Sequence, residues 1–224
     1  MKEFFIVLDI EQVLALAPRF HPVGVEPVGL EAAVGRVLAE DVFAGEDLPG
    51  GARSTVDGYA VRAASTFGAS ESSPAFFRVT GTVAMGEAAR MSVAGGEAVR
   101  IATGGLLPAG ADSVVMIEHA ELLDDAGLEV SRTVAPGQHL IAAGEDFEQG
   151  ERIAPRGRRL RPQDAGVLAA FGRPRVMVFR RPVVGIISTG DEIVPIDGVP
   201  GPAQVRDVNS YTLAGLVMET GGMP

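Results

Sequence analysis

Apolar residues recur at helical spacing over 9–18 and 30–39. The chain is therefore predicted to open with two helices, the first capped by Asp9 and the second ending before Glu40 and Asp41. From about residue 57 to 133 the pattern shortens. "GYAVRA", "FFRVTGTV", "EAVRIAT", "DSVVMIE" and "LEVSRTV" are runs rich in Val, Phe and Thr between Gly, Pro, Ser and Asp clusters, which predicts a small all-β lobe. Helical spacing returns in "RPQDAGVLAAFG", with Pro162 near its start and Gly172 just past its end. "PVVGIISTGDE" is a continuous apolar run closed by a hydroxyl, glycine and acid turn, as in a buried parallel strand. Asn209 then caps "SYTLAGLVMETGG", an apolar-faced helix stopped by Gly221 and Gly222.

Strand, loop and helix in that order open a doubly wound α/β unit. The predicted class is thus mixed α+β. A β-rich lobe (49–144) is inserted in an α-containing N-terminal domain (1–48 plus 145–181), and an incomplete α/β domain follows (182–224). One strand and one helix cannot cover both faces of a parallel sheet, so the last segment is expected to be unstable by itself.

With 46% hydrophobic residues the composition is that of a globular chain. Its longest apolar runs, such as 4–8 and 183–187, fall short of the roughly 18 residues that span a bilayer, and Asp9 and Glu11 close the first too early for a signal peptide. A cytoplasmic protein without a membrane partner is expected. The absence of cysteine removes disulfides, thiolate nucleophiles and cysteine zinc sites together. Lys2 is the only lysine, which excludes a Walker A lysine and an internal Schiff base. Histidine occurs only at His21, His119 and His139, with no metalloprotease pairing, so acids and hydroxyls must carry any chemistry. A net charge of −10 argues against nucleic acid as a partner. Nine arginines between Arg152 and Arg181 reverse the balance locally, either as solvated surface or as an attraction for an anion.

Four stretches place polar residues at the ends of apolar runs: Ser54-Thr55-Val56-Asp57-Gly58-Tyr59, Thr103-Gly104-Gly105, Gly144-Glu145-Asp146 and Ser188-Thr189-Gly190-Asp191-Glu192. Each has a bland reading. Asp57-Gly58 is a good hairpin corner, Thr103-Gly104-Gly105 an ordinary loop, and Gly144-Glu145-Asp146 an acidic turn. The stretch from Ser188 to Glu192 is the strongest alone, because ligands of open α/β sheets bind beyond the carboxyl ends of strands. Together they suggest carboxylates holding a hard cation such as Mg²⁺ against an anionic substrate.

In order along the chain, "STVDGYAVR", "RIATGGLLPAGADSVVMIE", "GEDFEQGERIAPRGRRLRPQDAGVLAAFG", "RPVVGIISTGDEIV" and "VRDVNSYTLAGLV" resemble the molybdopterin molybdenumtransferase family, of the bacterial MoeA and gephyrin E-domain type. The resemblance implies a cytoplasmic enzyme of molybdenum cofactor synthesis. Such an enzyme takes adenylylated molybdopterin and molybdate and, with Mg²⁺, releases AMP and leaves molybdenum on the dithiolene. It also implies an elongated homodimer whose site is shared between subunits, with other cofactor-biosynthesis proteins as further partners, and it makes 182–224 the start of a molybdopterin-binding domain. Matched by motif, Asp57, Thr103, Asp146 and Glu192 would be catalytic, and Asp57, Asp146 and Glu192 would hold the metal. Ser54, Ser188, Thr189, Gly190 and Asp191 would contact the pterin and its phosphate.

Two departures stand out against the family pattern. Gly50-Gly51-Ala52-Arg53 replaces a Phe-Asp-Asn-Ser type run, losing an acid and an amide and gaining a cation. Ile141 stands where an arginine is common. The family's α/β domain also continues well past this point, so a chain of this extent is expected to bind molybdopterin weakly and to transfer no molybdenum. The altered flanks leave an alternative, a non-catalytic molybdopterin-binding or scaffold paralogue.

Overall fold

The computed structural model describes residues 8–88, 90–123 and 126–224; positions 4–7 of the opening apolar run and Lys2 lie outside them. The chain divides into two compact units, 1–42 with 153–224 and 43–152, so the second is an insertion in the first.

The inserted unit is built on a six-stranded sheet in the spatial order Ser113–Met116, Gly58–Val61, Glu97–Ile101, Ala75–Thr82, Gly127–Val130, Ala120–Leu122. All five β-like runs of the sequence supply strands. Only the pairing of Ala75–Thr82 with Glu97–Ile101 is parallel within this sheet, and its register shifts at a bulge between Val79 and Gly81. Alternation sends Tyr59, Val61, Ala98, Val115, Leu128 and Val130 into one buried cluster. The intervening Ala60, Val99, Ile101 and Val114 enter another with Val83 and Val93. Both faces are therefore covered, which explains why Gly58–Val61 is buried at every position.

The first unit pairs Val25–Gly29 antiparallel with Arg175–Phe179. Leu38, Val42, Leu160, Leu168, Val176 and Val178 form its core with Ala33 and Ala154. Helix α1 (Ile10–Leu14) is shorter than its pattern, giving way to a 3-10 turn at Ala17–Arg19; the Asp9 cap is present, with its carboxylate accepting from Gln12 N–H at 2.7 Å. Helix α2 (Pro162–Ala170) forms as read, with Pro162 opening it and Gly172 at φ +62° beyond its end. Asp164 accepts from Arg161 N–H at 2.9 Å and covers a free donor of the first turn.

Three expectations are corrected here. No helix forms over 30–39 beyond a 3-10 turn at Leu30–Ala32. Gly35 adopts φ +80°, and the N–H groups of Gly35, Leu38 and Ala39 donate to Leu160, Arg158 and Met177, so a helix there would forfeit three non-local bonds. The predicted strand at 183–187 reduces to one parallel bridge between Val183 and Met223. Beyond that bridge no strand among the described residues pairs with the run, and Val183 and Ile187 stand 77% and 87% exposed. Helix α3 (Asn209–Glu219) is present, but Asn209 is its first residue rather than its cap; Asp207 accepts the Ser210 N–H at 3.0 Å instead. No helix among the described residues is long and apolar enough to cross a membrane.

Candidate functional site

Asp57 is not a hairpin corner. The strands on either side of it, Arg53–Ser54 and Gly58–Val61, do not pair with each other: the first pairs with Leu140–Ile141 and the second with Glu97–Ile101 and Ser113–Met116. Gly58 follows Asp57 for a different reason from turn geometry. A Cβ there would run into the carbonyl of Val115 on the adjacent strand, so glycine allows the close backbone approach that starts the strand. Asp57 is thereby placed at the N-terminal end of an interior strand, with its carbonyl accepting from Ile117 N–H at 3.0 Å.

The structure brings Asp57 and Thr103 together. Oδ1 of Asp57 accepts from the Thr103 backbone N–H at 2.7 Å and from its hydroxyl at 2.8 Å. The N–H bond, then the hydroxyl, and more weakly the charge of Arg100 hold this exposed carboxyl below the usual carboxylate range. Oδ2 takes no hydrogen bond among the described residues. The loop after Thr103 is shaped by its glycines: Gly104 has φ +81°, and a Cβ on Gly105 would clash with Ile101 and the Ala102 carbonyl. Ser54 is buried, its hydroxyl donating to Val56 O at 2.6 Å and accepting from Val56 N–H at 3.2 Å. His139, the one described non-glycine residue with positive φ, at 60°, accepts from Thr55 N–H through its carbonyl and steadies the same turn.

Asp146 lies in the same unit, its N–H donating to Leu48 O at 3.0 Å. Among the described residues no hydrogen bond joins its carboxylate to Asp57 or Thr103.

Ser188, Thr189, Gly190, Asp191 and Glu192 belong to the other unit, on an exposed loop. Gly190 has φ +148°, and the Glu192 carboxylate curls over it where a Cβ would stand. Ile193–Val194 pairs parallel with Val205–Arg206 beside an open cleft of about 630 Å³, lined in part by Ser188, Gly190, Asp197, Asp207 and Tyr211. Asp207 was not anticipated as part of this cleft. Its carboxyl is lowered first by the Ser210 hydroxyl and backbone N–H, with the Ser188 hydroxyl contributing. The sequence signal was available, an acid three residues before a serine at a helix start.

No cluster of three or more His, Asp or Glu side chains suited to a metal occurs among the described residues. An ionised Asp57 with Oδ2 free does suit a hard cation that takes one or two protein carboxylates and completes its shell with water or phosphate oxygens.

The family described as MoeA N-terminal region (domain I and II) matches residues 8–172. The molybdopterin molybdenumtransferase of Bacillus subtilis is 36% identical over 202 residues, covering 89% of this chain and 47% of that protein. That of a Nostoc species is 35% identical over 199 residues, covering 89% and 45%. A solved structure of the molybdopterin biosynthesis MoeA protein from Pyrococcus horikoshii superposes with a TM-score of 0.87 at 38% identity, over 96% of this chain and 57% of that one. The chain thus spans about half the length of the curated relatives it matches. With the family match covering most of its length and both units present in a solved relative's fold, the chain belongs to the MoeA family.

Proposed function

We propose that the protein carrying this chain is a molybdopterin molybdenumtransferase, which inserts molybdenum from molybdate into adenylylated molybdopterin and releases AMP. The observation that carries this reading is the Asp57–Thr103 pair: an ionised, exposed carboxylate fixed through one oxygen, in a region that matches the family. Mg²⁺, when bound, would neutralise the substrate's phosphates and polarise the bond that releases AMP. Asp57 would offer Oδ2 to it, and Thr103 holds Asp57 ionised and oriented before substrate arrives. Asp146 and Glu192 would contribute further acids. Ser188, Thr189, Gly190 and Asp191 would lie along the pterin and phosphate.

In this reading the β-rich lobe spans 49–144, inside the compact unit 43–152, and 182–224 opens a molybdopterin-binding α/β domain. The parallel Ile193–Val194 pairing supports that assignment, and so do the exposed Val183, Ile187, Leu213 and Leu216, apolar side chains of the kind a larger parallel sheet with its helices covers. A homodimer with a shared site completes the proposal.

The test is AMP release and molybdenum insertion by the protein that carries this sequence, with and without Asp57→Ala. Turnover should fall by about 10²-fold or more with the thermal transition unchanged. Turnover equal to wild type at saturating Mg²⁺ and molybdate would overturn the assignment.

A further inference from the structure

We infer that Arg53 is a positioning residue for Asp57, acting through the Thr103–Gly104 loop. Arg53 is exposed, and among the described residues no carboxylate pairs with it. Its guanidinium is instead directed at a backbone carbonyl 51 positions away, with Nη1 donating to Gly104 O at 2.7 Å. The strand that carries it is held on both sides. Leu140–Ile141 pairs with it antiparallel, with Ile141 opposite Arg53, while Ser54 N–H donates to Gly105 O at 3.0 Å and Gly104 N–H to Ser54 O at 2.7 Å. Both polar groups of Gly104 are therefore tied to Arg53 and Ser54, one by backbone and one by the guanidinium.

That arrangement matters because Gly104 sits in the left-handed region, where glycine has the widest conformational choice. The residue before it, Thr103, must present its N–H and hydroxyl to the same oxygen of Asp57. A charge-assisted bond to the Gly104 carbonyl restricts the loop at the residue next to those two donors. The apolar Ile141 across the strand pair has no group that could take over this bond.

The catalytic consequence rests on the transferase reading above; the positioning itself does not, and it can be measured on this chain without substrate. Arg53→Gln and Arg53→Lys should be compared with wild type by hydrogen exchange and by the proton chemical shift of the Thr103 amide. In Arg53→Gln the Thr103 amide should exchange about tenfold faster and its proton resonance should move upfield as its bond to Asp57 lengthens, with the thermal transition unmoved. Arg53→Lys keeps a charged donor and should retain most of both properties. Faster exchange with an unmoved resonance would assign the effect to a general loosening of the loop and overturn positioning. So would a moved resonance with unchanged exchange, or no change in either. In an activity assay of the protein that carries this chain, Arg53→Gln should lower kcat with little change in KM. If the NMR changes appear but kcat holds, it is the catalytic role of Asp57 that fails, not its positioning by Arg53.

Discussion

The inserted sheet and the segment from 182 onward carry similar apolar runs in opposite circumstances. Ile101 lies in a strand with neighbours on both edges and is 1% exposed; Ile187 ends an equally apolar run and is 87% exposed. Apolar pattern identifies what gains by burial, but a strand also needs a backbone to pair with; the inserted sheet flanks Glu97–Ile101 on both edges, whereas the run at 183–187 has a single bridge to Met223 among the described residues. The candidate site residues differ in the same way. Asp57 is set by strand register and two hydrogen bonds from one residue, whereas Glu192 stands on an exposed loop against its own Gly190.

Identical substitutions in the two regions should therefore give unequal results. Gly58→Ala places a methyl group into the Val115 backbone and should cost about 4 kcal/mol or more, since neither strand can move without losing its pairing. Gly185→Ala meets nothing within 4 Å and should stay within about 0.5 kcal/mol. Chemical denaturation of the two variants checks both. Next in size, Ile101→Ala should cost about 3 kcal/mol through lost transfer energy and the cavity left behind, while Ile187→Ala should be nearly silent. Equal losses at the two isoleucines would mean that the segment from 182 is as well packed as the sheet.

Much of the sheet was legible because its strands alternate and its turns carry Gly, Pro and Asp at the breaks. The Asp9 cap and the Pro162 and Gly172 boundaries were legible for the same local reason. What failed was set by partners distant in sequence. The pattern over 30–39 is helical, yet Gly35, Leu38 and Ala39 give their N–H groups to residues more than a hundred positions away. Asp57-Gly58 looks like a turn because nothing local reveals that Gly58 must admit the Val115 carbonyl. Arg53 shows in the sequence only as a gained cation; its acceptor, Gly104, emerges only when the two segments are brought side by side.

A smaller, pH-dependent contrast is expected in the first unit, at the start of α2. Asp164 bonds the Arg161 side chain, at 3.2 Å from both Nε and Nη2, and Arg158 through Nη2 at 2.7 Å. The Arg161 bonds first, then Arg158 and the Arg161 N–H, hold its carboxyl well below the usual range despite burial. A carboxyl whose folded pKa is depressed stabilises fully above its unfolded value, about 4, and that stability fades as pH falls through the folded value. Asp164→Asn should thus cost about 1 kcal/mol at neutral pH, because Arg161 remains more than half exposed and water screens the pair. The difference from wild type should shrink steadily below pH 4. A pH-independent difference would show that the cost lies in the helix cap and not in the charge.

The smallest effect on stability, and the sharpest test of how the site is fixed, is expected at Thr103. Thr103→Val removes the hydroxyl donor to Asp57 and keeps the backbone N–H, which is the larger of the two causes that lower the Asp57 carboxyl. Both groups are exposed, so the thermal transition should not shift measurably. The Asp57 titration midpoint, followed by carbon-13 NMR, should nevertheless rise, while staying below that of an unperturbed aspartate because the N–H bond persists. By linkage, whatever stability this pair contributes is fully present above the unfolded carboxylate pKa and lost as pH falls through the lower folded value, so any difference between Thr103→Val and wild type should be fully present above about pH 4 and fade below it. An unchanged midpoint would leave the backbone N–H as the sole anchor of Asp57, and would make the sheet register, rather than the threonine side chain, the whole reason the carboxylate is held where it is.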